Sequence, residues 1–306
     1  MIDNISVLIS TYNGKRYIIN QLESIRLQTV APSEVLIIDD CSTDDTCDVI
    51  RRYIKDYNLF NWKLITNEEN IGWRRNFFNG LNLVTNEYIF IADQDDIWDY
   101  RKIELMIDAM KDSRINLLVS RFDKFRQAEY VVNESEYCNI VDQIEYHEDI
   151  MKVPFPGCTY LIKKSYFEKI KKYWNPIFPH DAFIWRFAYI DCGVFCHEDT
   201  LFHWRIHTDS SFSKESMENK TVANKTEWLE YAYNMLEALK SYLLDTNRKN
   251  SSVYDDVLQY SKWVQLRKKY YNQKRIIDWA RIFPYVKCYG GVKRYFLDLF
   301  IVIRGK

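Results

Sequence analysis

Four short apolar runs, Ile5–Ser10, Val35–Ile38, Trp62–Thr66 and Tyr88–Ala92, recur in the first hundred residues. A stretch with helical periodicity or helix-start chemistry follows each of the first three: Tyr17–Gln28, the segment CSTDDTCDVIRRYI, and Arg74–Leu83. This alternation is the strongest constraint on the fold. Strands that are apolar on both faces must be covered on both faces, and helical crossovers between them imply βαβ units and a parallel sheet. Ligands of such sheets bind beyond the carboxyl ends of the strands. The polar clusters Thr11-Tyr12-Asn13, Asp39-Asp40 and Asp93-Gln94-Asp95-Asp96 all fall there. Ser42 or Thr43 is placed to cap the second helix, and Asp44 and Asp45 could cover the same role.

Further along, Asn116–Val119, Thr159–Ile162 and Leu201–Ile206 read as extended, and Asp181–Ile190 as helical. Beyond Ser213 the chain becomes helical and polar, with long candidates at Glu215–Leu244 and Ser252–Tyr271. The expected organisation is an α/β domain over 1–213, a mostly parallel sheet flanked by helices, with a helical C-terminal extension over 214–306.

A net charge of −1 hides an asymmetry: residues 248–306 carry fourteen Lys/Arg against four Asp/Glu, so the remainder is strongly acidic. Gly290-Gly291 precedes Val292–Arg304, where Val292, Tyr295, Phe296, Leu299, Phe300 and Ile303 recur at helical spacing beside Lys293, Arg294 and Arg304. Such a basic amphipathic segment suits a membrane interface, packing on the catalytic domain, or a homodimer contact. Nucleic acid is not expected as a partner. The seven cysteines are scattered without CxxC, and the N-terminus lacks a basic segment followed by a long apolar run. Reduced thiols and a cytoplasmic location, at the inner face of the cell membrane if the tail binds lipid, are therefore expected. Cys192, Cys196 and His197 lack a fourth ligand at a sensible spacing and read as packing residues.

The chain has no GxGxxG after its first strand and no GxxxxGK[ST], so dinucleotide and P-loop readings have no support. Tyr12 offers a ring for a nucleobase. The carboxylates of Asp39 and Asp40 suit a base N–H or a ribose hydroxyl, or equally the start of a helix. The run IFIADQDD is the sharpest signal. In extended backbone Asp93 and Asp95 point the same way, ~6 Å apart. Their repulsion at an effective dielectric of 20 is roughly 3 kcal/mol. A hard divalent cation, Mg²⁺ or Mn²⁺, would cancel it.

In order and spacing, STYNG, IIDDCSTDDT, NIGWRRN and DQDDIW resemble the successive motifs of the inverting family 2 glycosyltransferases with the GT-A fold. A weaker match through PGCTYLIKKS, PHDAFIWRF and HWRIH resembles the bacterial subgroup that builds rhamnose-containing and other surface polysaccharides. The resemblance implies a Rossmann-like GT-A domain that moves a sugar from a UDP- or dTDP-sugar to a glycan, with a lipid-linked oligosaccharide as acceptor. It places Thr11, Tyr12, Asn13 and Asp40 around the nucleoside, with Arg75, Asn76 and Arg205 near the donor. Asp93 and Asp95 form the D-x-D motif, with Asp95 and His207 on the cation and Asp93 on the ribose or the metal shell. Asp96 would support them, and Asp181 would be the catalytic base. The Q-x-x-R-W motif of many relatives is missing, which weakens a polymerising-synthase reading. Two other classes remain as alternatives. A sugar nucleotidyltransferase would need a glycine-rich phosphate loop, and a non-catalytic nucleotide-sugar-binding scaffold would not need Asp95 and Asp181.

Overall fold

The computed structural model describes residues 4–126, 136–207 and 222–304. These fall into two units. One comprises 1–145, 153–172 and 179–206, the other 146–152, 173–178 and 207–306. The expected boundary at 213/214 lies outside the described residues. The second unit also takes in two short segments from the middle of the chain.

In the first unit, β1 (Ile5–Thr11), β2 (Glu34–Asp39), β3 (Trp62–Thr66) and β4 (Tyr88–Ala92) alternate with α1 (Ile18–Arg26), α2 (Thr46–Asp56) and α3 (Trp73–Leu83). The strands are parallel in the order β3-β2-β1-β4. β1, β2 and β4 are buried almost throughout because helices cover both faces, whereas the edge strand β3 exposes Lys63. Ile5, Val7, Ile9, Val35, Ile37 and Phe90 pack with Ile18, Leu22 and Ile25 of α1 in one core.

The remaining elements are β5 (Ile97–Trp98), α4 (Lys102–Ala109), β6 (Leu117–Phe125), β7 (Val141–Gln143), β8 (Leu161–Lys163), α5 (Lys164–Ile170), α6 (His180–Ile190) and β9 (Val194–Arg205). The sheet continues from β4 as β8-β6-β9-β5, with β7 on β9. β8 runs antiparallel to both β4 and β6, and β5 and β7 antiparallel to β9, so the nine-stranded sheet is mixed as a whole. Antiparallel neighbours need no helical crossover, which is why the strand–helix rhythm of the first hundred residues fades beyond them. Register Thr11↔Asp39 and Ile9↔Ala92 brings the ends of β1, β2 and β4 to one edge. The chain goes one way from β1 to β2 and β3, then crosses to β4 on the other side, the switch point where α/β sheets open a crevice.

The second unit is helical: α7 (Val222–Asp245), α8 (Ser252–Gln273), α9 (Ile276–Ala280) and α10 (Val292–Arg304). α7 buries Leu229, Ala232, Leu236, Leu239 and Leu243, an i, i+3/i+4 stripe. The Ser251 hydroxyl caps α8 by accepting the Tyr254 N–H at 3.2 Å. α10 is anchored by a buried ion pair. Asp298 accepts from Arg267 Nε and Nη2 at 2.7 and 2.9 Å, and from the hydroxyls of Tyr271 and Tyr289 at 2.8 and 2.7 Å. Burying two charges is tolerable only with such complete hydrogen bonding. No helix among the described residues is long and apolar enough to cross a membrane.

Candidate active site

The crevice is built from the loop after β1, the loop after β2, the acidic loop between β4 and β5, the turn before β8 and the first turn of α6. Each loop is tied to its neighbours by side chains that the strand ends deliver. Gln94 holds the β1 loop with both ends of its amide. Its Oε1 accepts the Tyr12 N–H at 2.9 Å and its Nε2 donates to Tyr12 O at 3.0 Å. A Cβ at Gly14 would lie 2.1 Å from Gln94 Oε1, so this close approach requires glycine. Asn13 bridges to the β2 loop. Its N–H donates to Ser42 Oγ at 2.8 Å and its Oδ1 accepts the Thr43 N–H at 2.8 Å.

Asp39 accepts from Thr11 Oγ1 at 2.9 Å and from Ser42 N and Oγ at 2.8 and 2.5 Å. Ser42 is therefore not the cap of α2, nor is Thr43, whose N–H is taken by Asn13. Asp44 instead accepts the Thr46 N–H at 3.0 Å. Competition explains the difference: Asp39, three positions away, and Asn13, 29 and 30 positions away, claim the residues that local spacing assigned to the helix. Asp40, 3% exposed, accepts from Asn67 Nδ2 and from the N–H groups of Ile71 and Gly72 at 2.8–2.9 Å. It fixes the loop that starts α3. Asn76, fully buried, donates to Ser10 Oγ and Ile38 O at 2.7 and 2.9 Å, anchoring α3 to the sheet rather than facing the crevice. Arg75, one position earlier, is exposed.

The acidic corner holds more than the pair expected from spacing. Oxygens of Asp93 and Asp96 and the Cys158 sulfur lie within 4.8 Å of one another. Asp96 is 1% exposed. Its Oδ1 accepts the Arg205 N–H at 2.8 Å, and its Oδ2 is buried without a partner. Burial first, then the charge of Asp95, pushes the Asp93 carboxyl up to about 7, and Asp181 adds to the push. The Asp96 carboxyl is raised for the same reasons, burial and then Asp95 and Asp93.

These groups fit a hard divalent cation. An orphaned carboxylate oxygen faces crowded like charges that a 2+ ion would relieve. Burial also raises the Cys158 thiol, so it stays protonated and the oxygens are the available ligands. Lys102, buried beside Asp96 and Asp99, donates to Cys158 O at 3.1 Å. Burial lowers its ammonium to about 7, so it offsets the acidic charge only in part. Arg205, 2% exposed, clamps the loop through Nε to Asp95 O at 2.7 Å, between the rings of Tyr17 and Phe125.

Asp181 stands in the first turn of α6. Its Oδ1 accepts the Ala182 N–H at 2.7 Å, and its Oδ2 accepts no hydrogen bond from a described residue. His180 stacks on Phe77 at 4.0 Å, and burial holds its imidazole down to about 4, hence neutral at pH 7. A Cβ at residue 157 would fall 2.6 Å from His180 Nε2 and 3.0 Å from Asp181 Cβ. Gly157→Ala should therefore displace Asp181 without altering any charge. We expect kcat to fall about tenfold or more with nucleotide affinity unchanged, read from steady-state kinetics beside a nucleotide titration; unchanged kcat would contradict the close packing.

Of the residues expected at the site, Tyr12, Asn13 and Arg75 are exposed and Asp93, Asp95 and Asp181 half-buried, while Thr11, Asp40 and Arg205 are buried behind it as loop supports. His207 is half-buried and groups with the second unit. Sequence reasoning missed Gln94, Lys102 and Cys158. Gln94 stood inside the motif, but nothing in the order of residues ties Cys158 to a loop sixty positions away.

The sequence pattern of glycosyl transferase family 2 matches residues 6–192. The chain belongs to that family. Among relatives of this family 2 chain, the dTDP-rhamnosyl transferase RfbG of Shigella flexneri is 30% identical over 193 residues. That match covers 58% of this chain and 64% of RfbG, under two thirds of the relative's length. The crystal structure of Staphylococcus aureus TarS 1–349 in complex with UDP-GlcNAc aligns with a TM-score of 0.57 at 15% identity, covering 89% of this chain and 92% of that one. Mannosyltransferase PcManGT from Pyrobaculum calidifontis, in complex with GDP-Man and Mn²⁺, gives 0.54 at 14% identity over 98% and 84%. These likenesses establish the GT-A fold for the family 2 chain.

Proposed function

We propose that the chain transfers a sugar, with inversion, from a UDP- or dTDP-sugar to a hydroxyl of a lipid-linked glycan in surface-polysaccharide synthesis. The observation that carries this reading is the convergence of the acidic corner with Asp181, whose charge reaches Asp93. In this reading the acceptor oxygen attacks the anomeric carbon, the bond from that carbon to the diphosphate breaks, and the acceptor proton passes to the free Oδ2 of Asp181. Tyr12 stacks on the base beside Asn13, with Thr11 and Asp40 keeping those loops in place. Arg75 reaches the phosphates, and Arg205 holds the acidic loop. Asp93, Asp95 and Asp96 would hold Mg²⁺ or Mn²⁺. When bound, the ion neutralises charge growing on the leaving diphosphate.

RfbG, named for dTDP-rhamnose, supports a deoxyhexose donor, and TarS with UDP-GlcNAc and PcManGT with Mn²⁺ support a metal-assisted nucleotide sugar. Phe296, Phe300 and Ile303 of α10 are exposed, as are Lys293 and Arg294, and this supports contact with an anionic membrane. A screen of dTDP- and UDP-sugars with Mn²⁺ tests the reading. Slow release of nucleoside diphosphate should require the metal and cease in Asp95→Ala. Tight binding with no release for any donor would favour a non-catalytic scaffold.

A further inference from the structure

The helical unit contains a cavity of about 700 Å³ whose walls are basic and aromatic. Lys225, Arg267 and Arg294 line it together with Trp228, Trp263 and Asp298. Asp298 is hydrogen-bonded to Arg267, Tyr271 and Tyr289, and its single charge is shared between Arg267 and Lys225. The exposed Lys152 and Asp149 also line the cavity and offset each other. One carboxylate thus faces three cations, Lys225, Arg267 and Arg294, and leaves the cavity net positive. Among the described residues Lys225 makes no ion pair or hydrogen bond, and Arg294 has only the Tyr289 carbonyl at 3.3 Å. Burial lowers the Lys225 ammonium, and the positive charges of Arg267 and Arg294 add to the effect while Asp298 opposes it. The Trp263 indole N–H is buried without a partner, a further donor at the same wall. Cations crowded around one cavity, Lys225 among them half-buried, are unfavourable unless an anion joins them.

We propose that this cavity binds a phosphate-bearing ligand, a diphosphate by its charge. Lys225 and Arg294 supply the counter-charge, the Trp263 N–H supplies a neutral donor, and the Trp228 and Trp263 rings cover the group attached to the phosphate. Charge-assisted hydrogen bonds from Lys and Arg are the strongest phosphate contacts that a protein makes. The ligand is either a lipid headgroup or a soluble phosphate ester.

The test is calorimetric titration of the whole chain with inorganic pyrophosphate in EDTA, which keeps the acidic corner free of metal. Saturable binding is expected, weakened about tenfold or more in Lys225→Gln and in Arg294→Gln. Arg294 is exposed, so its variant tests the site without risk to the fold. Absence of saturable binding in the wild type, or unchanged affinity in both variants, would overturn the proposal. Sedimentation with phosphatidylglycerol vesicles identifies the source. If pyrophosphate displaces the protein at constant ionic strength, the cavity takes a lipid headgroup; if binding persists while the titration holds, it takes a soluble phosphate ester.

Discussion

Asp181→Asn should lower kcat by roughly 10²–10⁴-fold, the range for loss of a positioned general base, while nucleotide affinity stays nearly constant. The amide keeps the size of the side chain and can still accept the Ala182 N–H that orients it. What it loses is the ability to take a proton on the oxygen left free. Unfolding temperature should barely move, because the substitution breaks no buried contact. Equal losses in kcat and nucleotide affinity would instead assign Asp181 to donor binding. Unchanged turnover would remove it from the chemistry altogether.

Asp93→Asn should have an effect of similar size with a different signature. In the proposed mechanism several kcal/mol of charge stabilisation come from the ion at the acidic corner, so sugar transfer should fall about 100-fold or more, and stabilisation by Mn²⁺ in a thermal melt should vanish. The metal-free protein gives a second readout. The Asp93 carboxyl stands at about 7 in the folded chain, above its unfolded value of about 3.9. The folded state therefore binds the proton more tightly. The stability this confers is complete below about pH 4 and is lost as pH rises toward 7. His180 and Lys102, whose folded values are lowered, oppose Asp93 over the same range, so the slope is read as a difference between proteins. In EDTA the melting temperature of Asp93→Asn at pH 8, relative to pH 5, should lie above that of the wild type. A variant that kept both the slope and the Mn²⁺ response would place the cation elsewhere.

The same particulars show how far the sequence could be read. β1 to β4 and the helices between them were legible because burial on both faces imposes apolar runs, and amphipathic helices impose their own period. The motif positions were legible for the same reason, since they sit where each run ends. Of the caps the sequence offered for α2, Ser42 and Thr43 look free along the chain but are taken by Asp39 three residues back and by Asn13 of the β1 loop, which leaves Asp44. The family resemblance placed Thr11, Asp40 and Arg205 against the donor, but their burial, and so their work as supports, depends on loops that meet only in space.

By itself, the order of residues determined the parallel half of the sheet, the edge where polar loops gather and the carboxylates gathered there. These follow from periodicities and strand ends, which are local. Only the tertiary structure decided that Asp96 would keep an unpartnered oxygen beside Asp93, that Cys158 and Lys102 would close the same corner, and that Gly157 would let Asp181 approach it. Burial and like-charge repulsion depend on what lies within a few ångströms, and that is set by packing between segments far apart along the chain.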